Sequence, residues 1–195
     1  LLLVEENMFG SGIANYRKQT SKRYVSSVFQ GMYKKEIFDK IGLLDEKVGR
    51  VEDNELHYRI RKNGYKIRYS NDILSYQYTR PTVNRMLKQK YSNGYWIGKV
   101  SHVYPNAFSI FHFVPFVFVL GIIFSLLILP LTKLFAVLLA VAYGLFTILV
   151  TLMTIVNNKF NVTMLLIPIL LFLVHFSYGV GTLVVLVKGC SWKKE

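Results

Sequence analysis

The stretches IFHFVPFVFVLGIIFSLLILPL (110–131), LFAVLLAVAYGLFTILVTLMTIV (134–156) and VTMLLIPILLFLVHFSYGVGTLVVLV (162–187) contain no Lys, Arg, Asp or Glu. A helix needs roughly 20 apolar residues to cross the hydrocarbon layer, so each run is long enough to span. Helix is the expected form, because in lipid every backbone N–H and C=O must be paired internally, and the runs are too long and too uniformly apolar for barrel strands. Residues 106–195 are therefore expected to form an all-α transmembrane region of about three helices. None of the three runs is expected to be a cleaved signal peptide, since the first begins more than a hundred residues into the chain.

Outward from these runs the composition changes. After Pro105 only Lys133, Lys159, Lys188, Lys193, Lys194 and Glu195 carry charge, whereas residues 1–105 hold 19 Lys and Arg against 10 Asp and Glu, which is +9 of the net +13. Basic residues beside spanning helices mark the cytoplasmic side, so the first part is expected to face the cytosol, against anionic headgroups of a cell membrane. Three spans would place the C-terminus outside, yet Lys188, Lys193 and Lys194 read as an inside flank, and the topology stays open. Membrane lipids are the expected partner and nucleic acid is not, because no nucleic-acid motif appears at its spacing. Cys190 stands alone, so neither an intrachain disulfide nor a cysteine-built zinc or dithiol site is available. The start at Leu1, with an apolar run and no preceding element, reads as a fragment.

Within residues 1–80 the pattern is mixed α and β. A β-prone stretch from Tyr24 to Phe29 leads into KKEIFDKIG, where Ile37, Phe38 and Ile41 share a helical face and Gly42 closes the helix. The segment VEDNELHYRIRKNGYKIRY (51–69) repeats this grammar: acidic residues first, Leu56 and Ile60 four apart, basic residues late, then Gly64. Tyr65, Ile67 and Tyr69 alternate with Lys66 and Arg68, the period of a half-buried strand. From Thr82, an N-cap after Pro81, a helix is expected to about Val103, covering the segment 81–105; it mixes Met86, Leu87, Tyr95 and Trp96 with Arg85, Lys88, Lys90 and Lys99. That mixture suits either a membrane-interface helix or a surface helix with a solvated basic face, and its place before the first span favours the interface.

Glu52 and Asp53 fall at a helix start, where free N–H groups and the helix dipole favour an ionised carboxylate. Such a group is either a plain cap or a base able to take a proton. The order VFQGMYKKEIFDKIGLLDEKVGRVEDNELHYRIRKNGYKI (28–67), followed by YTRPTVNRMLKQKYSNGYWIGKVSHVYPNAFSIFHFVPFVFVLG (78–121), resembles family 2 glycosyltransferases of the bacterial exopolysaccharide type with C-terminal membrane helices. The resemblance covers roughly Gly10 to Gly121 and joins three pieces: the Glu-Asp motif, the glycine-closed helix, and Gln89, Gly94 and Trp96 in a Gln-x-x-x-x-Gly-x-Trp stretch.

The resemblance implies an α/β class, residues 1–80 being the acceptor-side part of a GT-A domain. It implies Asp53 as the base that activates the acceptor hydroxyl, with Glu52 its partner, in an inverting transfer from a nucleotide-sugar donor to a lipid-linked or polysaccharide acceptor. Gln89, Tyr95, Trp96 and Arg17 are implied contacts to acceptor or diphosphate, and Tyr16 accompanies Arg17 after the Gly10 and Gly12 loop. Ser92 and Asn93 stand where the Gln-x-x-Arg-Trp form has Arg and Trp, which points away from processive synthesis. A divalent metal, Mg or Mn, is implied for the complete enzyme with its ligands elsewhere, since no D-x-D occurs in these 195 residues. His57, His102, His112 and His175 are too scattered for a metal cluster and read as structural. The fragment alone is expected to be inactive without a donor-binding half. The alternative is a non-catalytic membrane adaptor in a polysaccharide assembly complex.

Overall fold

Thr82 and Gly42 show how directly local chemistry sets the elements. In a computed structural model describing residues 1–11, 23–73 and 78–189, the Thr82 hydroxyl accepts the N–H of Arg85 at 3.3 Å and helix α5 runs Val83–Val103. Gly42, at φ 82°, ends helix α3 (Lys35–Ile41) by donating its N–H to the Phe38 carbonyl. A left-handed turn of that kind is where glycine carries no Cβ penalty. Helix α4 (Glu52–Lys62) is closed in the same way by Gly64 at φ 81°. Two short helices, α1 (Leu2–Glu6) and α2 (Met8–Ser11), precede them in the chain.

The β content is smaller than the alternation suggests. Strand β1 is Tyr24–Val25 and strand β2 is Ile67–Arg68, paired antiparallel with Tyr24 opposite Arg68 and Val25 opposite Ile67. The expected strand to Phe29 stops early, and Gln30 then adopts φ 53°, outside any ladder. The period-2 burial still holds: Ile67 is buried while Lys66 and Arg68 face out. The described chain is thus mostly helical, with only this two-residue ribbon of sheet among the described residues. Its small core is Val25, Leu56, Ile60 and Ile67, with Tyr33, Ile37 and Phe38 packed around it.

The apolar half forms three helical segments long and apolar enough to cross a membrane: Ile110–Leu127, Leu134–Asn157 and Val162–Lys188. The chain is a membrane protein. The first span opens with a 3-10 turn at Ile110–Phe113 before helix α6 (Val114–Leu127), where Pro115 falls in the first turn and its missing N–H is harmless. Helix α7 is Leu134–Asn157; helix α8, Ile167–Lys188, follows a 3-10 turn at Val162–Leu166. Exposed Val117, Leu120, Leu138, Leu149 and Leu152 give α6 and α7 an apolar outer surface suited to lipid.

Helix α8 lies between two neighbours that approach to backbone contact. A Cβ added at Gly94 would fall 2.0 Å from the Tyr178 carbonyl oxygen, and one at Gly181 would fall 2.2 Å from that of Tyr91. Thr182 Oγ1 donates to the Gly94 carbonyl at 3.0 Å. On the α6 side, Gly179 meets the Pro115 carbonyl with 2.2 Å left for a Cβ. Small residues serve this purpose in membrane bundles, where lipid supplies no hydrophobic drive between helices. The basic helix α5 is therefore packed along α8, with Arg85 and Lys88 exposed. A shared core of Val48, Ile97, Val100, Ala107 and Phe108, flanked by Val51, Phe113 and Tyr178, joins the polar part to the spans.

Candidate functional site

The loop Val48–Val51 delivers α4 to this junction. Gly49 packs closely on α5: a Cβ there would lie 2.6 Å from Cζ2 of Trp96, so a larger residue would have to displace that ring. Val51 then takes φ 62° and ψ 23° as the N-cap of α4, with no side-chain cap bond. For a β-branched residue that conformation is an outlier costing roughly 1–3 kcal/mol, and such strain is concentrated at functional sites.

Glu52 and Asp53 occupy the first turn that follows. Glu52 is exposed and Asp53 half-buried. The Asp53 carboxylate accepts the Asn54 N–H at 2.8 Å, so it does the work of a first-turn acid as well as presenting a carboxylate. Burial pushes its pKa above the ordinary carboxylate value; the Asn54 hydrogen bond opposes this and the Glu52 charge reinforces it. A carboxylate with raised pKa is the stronger base once ionised.

One turn below Asp53, His57 is fully buried. Ser27 Oγ donates to Asn54 Oδ1 at 3.1 Å and lies 3.0 Å from His57 Nδ1, while Tyr33 Oη lies 2.7 Å from Nε2. The single Ser27 proton goes to Asn54, so Nδ1 carries the ring proton and donates to Ser27, leaving Nε2 to accept from Tyr33. Burial, aided by the Arg61 charge, lowers the His57 pKa to about 4, which keeps the ring neutral near pH 7. Tyr33 is shifted the other way, upward, by burial and by the field of Asp53. The chain Tyr33, His57, Ser27 and Asn54 thus fixes the 27–33 segment against the base of the Asp53 turn.

A second anchor lies at the far side of α4. Arg59 holds buried Glu55 with two bonds of 2.6 and 2.8 Å and donates to the Ile41 and Leu43 carbonyls at 2.6 and 2.8 Å. Bidentate pairing with the carboxylate leaves the remaining N–H groups for the end of α3.

Of the other sequence-predicted residues, Gln89 and Trp96 are seven apart on α5, two helical turns, and share a face. Gln89 accepts from Arg80 Nε at 3.0 Å, and Trp96 carries the Gly49 loop on one edge and Lys99 Nζ 4.5 Å from its ring centre. Tyr95 stacks on Tyr91 at 6.5 Å and meets the Trp96 ring edge-on at 5.9 Å, with its backbone against Gly181 of α8. Arg17 and Tyr16 lie outside the described residues.

Arg50 and Arg80 were not singled out by the sequence. Arg50 is half-buried, its pKa lowered by burial and then by the like charge of Arg80, with Glu52 opposing. The signal for Arg50 was its place three residues before Asp53; for His57 it was the i, i+4 spacing from Asp53, which puts both on one helix face. Among the described residues no group of three or more His, Cys, Asp or Glu is arranged to hold a metal ion. No protein-family model matches the chain, and no curated protein or solved structure matches it.

Proposed function

We propose that the chain is the acceptor side and membrane anchor of an inverting glycosyltransferase acting at the cytoplasmic face of a cell membrane. The observation that carries this reading is Asp53 itself: a half-buried carboxylate of raised basicity, two residues beyond a strained N-cap, on a turn docked against the membrane helices. In the reaction, the acceptor hydroxyl loses its proton to Asp53 while its oxygen attacks the anomeric carbon from the face opposite the departing nucleoside diphosphate. General-base help of this kind supplies roughly 100- to 10,000-fold in rate. Burial raises the Asp53 pKa, and the neighbouring Glu52 adds to that rise. The nucleotide-sugar donor, and the divalent metal that eases departure of its diphosphate, belong in this proposal to a part of the enzyme that these residues do not contain; the partial GT-A assignment stands on the same footing.

The absence of a D-x-D pair favours one other reading, a non-catalytic adaptor that uses the same surface for docking in a polysaccharide assembly complex. Membranes from cells expressing the gene, supplied with a panel of radiolabelled nucleotide sugars, separate the two. Label entering a lipid-extractable or polymeric product above membranes lacking the gene is expected. No incorporation from any donor, with the protein present in the membrane, refutes the transferase reading.

A further inference from the structure

Arg50 has five N–H donors and, among the described residues, makes no hydrogen bond or ion pair with them. It is nevertheless half-buried, within reach of the charge of a second guanidinium, that of Arg80. Both are brought there by one face of α5. Trp96 fixes the loop at Gly49, one residue before Arg50, and Gln89, two turns away on the same face, accepts from Arg80 Nε. The Gln89 bond occupies one edge of the Arg80 fork and leaves its other N–H groups open. Two like charges positioned by separate contacts on a single helix face, neither neutralised by a bonded carboxylate, make a receptor for a multiply charged oxyanion. Planar guanidinium forks match phosphate oxygens two at a time.

The position decides which phosphate. Val48 and Val51, flanking Arg50, pack in the same core as Phe113 at the opening of the first span, and Phe111 and Ile110 beside it are exposed and apolar. A ligand whose phosphates reach Arg50 has apolar surface next to it at the level where the chain enters the membrane. We infer that Arg50 and Arg80 cradle the diphosphate end of a lipid-linked acceptor, seating it beside Asp53. This deepens the proposed function and rests on it for the role of acceptor, while the binding itself does not depend on transfer.

The test is binding by the purified full chain in neutral detergent, measured calorimetrically without any sugar donor. The probes are a short prenyl diphosphate, the corresponding prenyl alcohol and inorganic pyrophosphate. The prenyl diphosphate should bind at least tenfold more tightly than pyrophosphate, and the alcohol should not bind measurably. Arg80→Gln, at an exposed position that should not disturb folding, should weaken the prenyl diphosphate at least fivefold, and Arg50→Gln/Arg80→Gln at least tenfold; Lys133→Gln, at an exposed lysine beyond the far end of the first span, should change it less than twofold. Unchanged binding in the Arg80→Gln chain, or no binding of the prenyl diphosphate by the parent, overturns the cradle. Pyrophosphate binding as tightly as the prenyl form overturns the lipid assignment in favour of a free diphosphate. Loss of transfer in an Asp53 variant bears only on the proposed function.

Discussion

Replacing Gly94 by Ala tests the α5–α8 seam on which the placement of the whole polar part depends. The added Cβ would start 2.0 Å from the Tyr178 carbonyl oxygen, against ordinary contact from 3.4 Å, so the helices must part locally by about 1.4 Å. The Gly98 and Gly181 contacts, at 3.4 and 2.2 Å for an added Cβ, lie on the same seam and loosen with it. Overpacking of this kind costs roughly 1–3 kcal/mol, and loss of the 3.0 Å Thr182 bond to Gly94 adds about 0.6 kcal/mol. Against this stands the helix-propensity gain of Ala over Gly, about 1 kcal/mol. The expected balance is a loss of about 1–2 kcal/mol, read as a lower unfolding midpoint of the full chain in detergent micelles by circular dichroism. Gly144 on α7 is the control: nothing lies within 4 Å of its added Cβ, so Gly144→Ala should keep the propensity gain and raise the midpoint. If Gly94→Ala raises it equally, the two helices do not meet as described.

Arg59→Ala should be the most damaging change in the polar part, since it strands buried Glu55 and frees the α3 carbonyls; a loss of roughly 3–5 kcal/mol is expected from chemical denaturation. His57 makes stability depend on pH: its folded pKa is depressed to about 4 from 6.5, so its contribution is complete above about 6.5 and is lost as pH falls toward 4. The full span is at most about 3 kcal/mol, and His57→Gln should flatten the unfolding midpoint over that window. Asp53 works in the opposite sense, because its folded pKa is raised; the stability it confers is present below its unfolded pKa and is lost as pH rises through the folded value. Asp53→Asn should therefore melt no lower than the parent at pH 7, and the acid limb of transfer activity in the complete enzyme should lie above the usual carboxylate range.

The parts of the fold written in the sequence are those where one residue type has one physical solution. Thr82 caps α5, Gly42 and Gly64 close α3 and α4, and uncharged runs of spanning length become the three apolar helices. The strands are shorter than the pattern because alternation at Tyr65, Ile67 and Tyr69 records burial, which the structure keeps, and not ladder pairing, which it confines to two residues per strand. At the site, Glu52 and Asp53 stood out through their helix-start position, whereas His57 looked like one of four scattered histidines. Its role depends on Ser27 and Tyr33, 30 and 24 residues away, and such a network has no local signature. The same holds for Arg50 and Arg80, which come together only because Gln89 and Trp96 face the same way on α5.

The central claim is that Asp53 takes the acceptor proton. It is tested most directly by expressing the complete gene with Asp53→Asn and measuring sugar transfer in membranes, with unfolding midpoints compared to establish equal folding. The account predicts a fall of roughly 100- to 10,000-fold at an unchanged or higher midpoint. Transfer near the parental rate in a folded Asp53→Asn protein would contradict it.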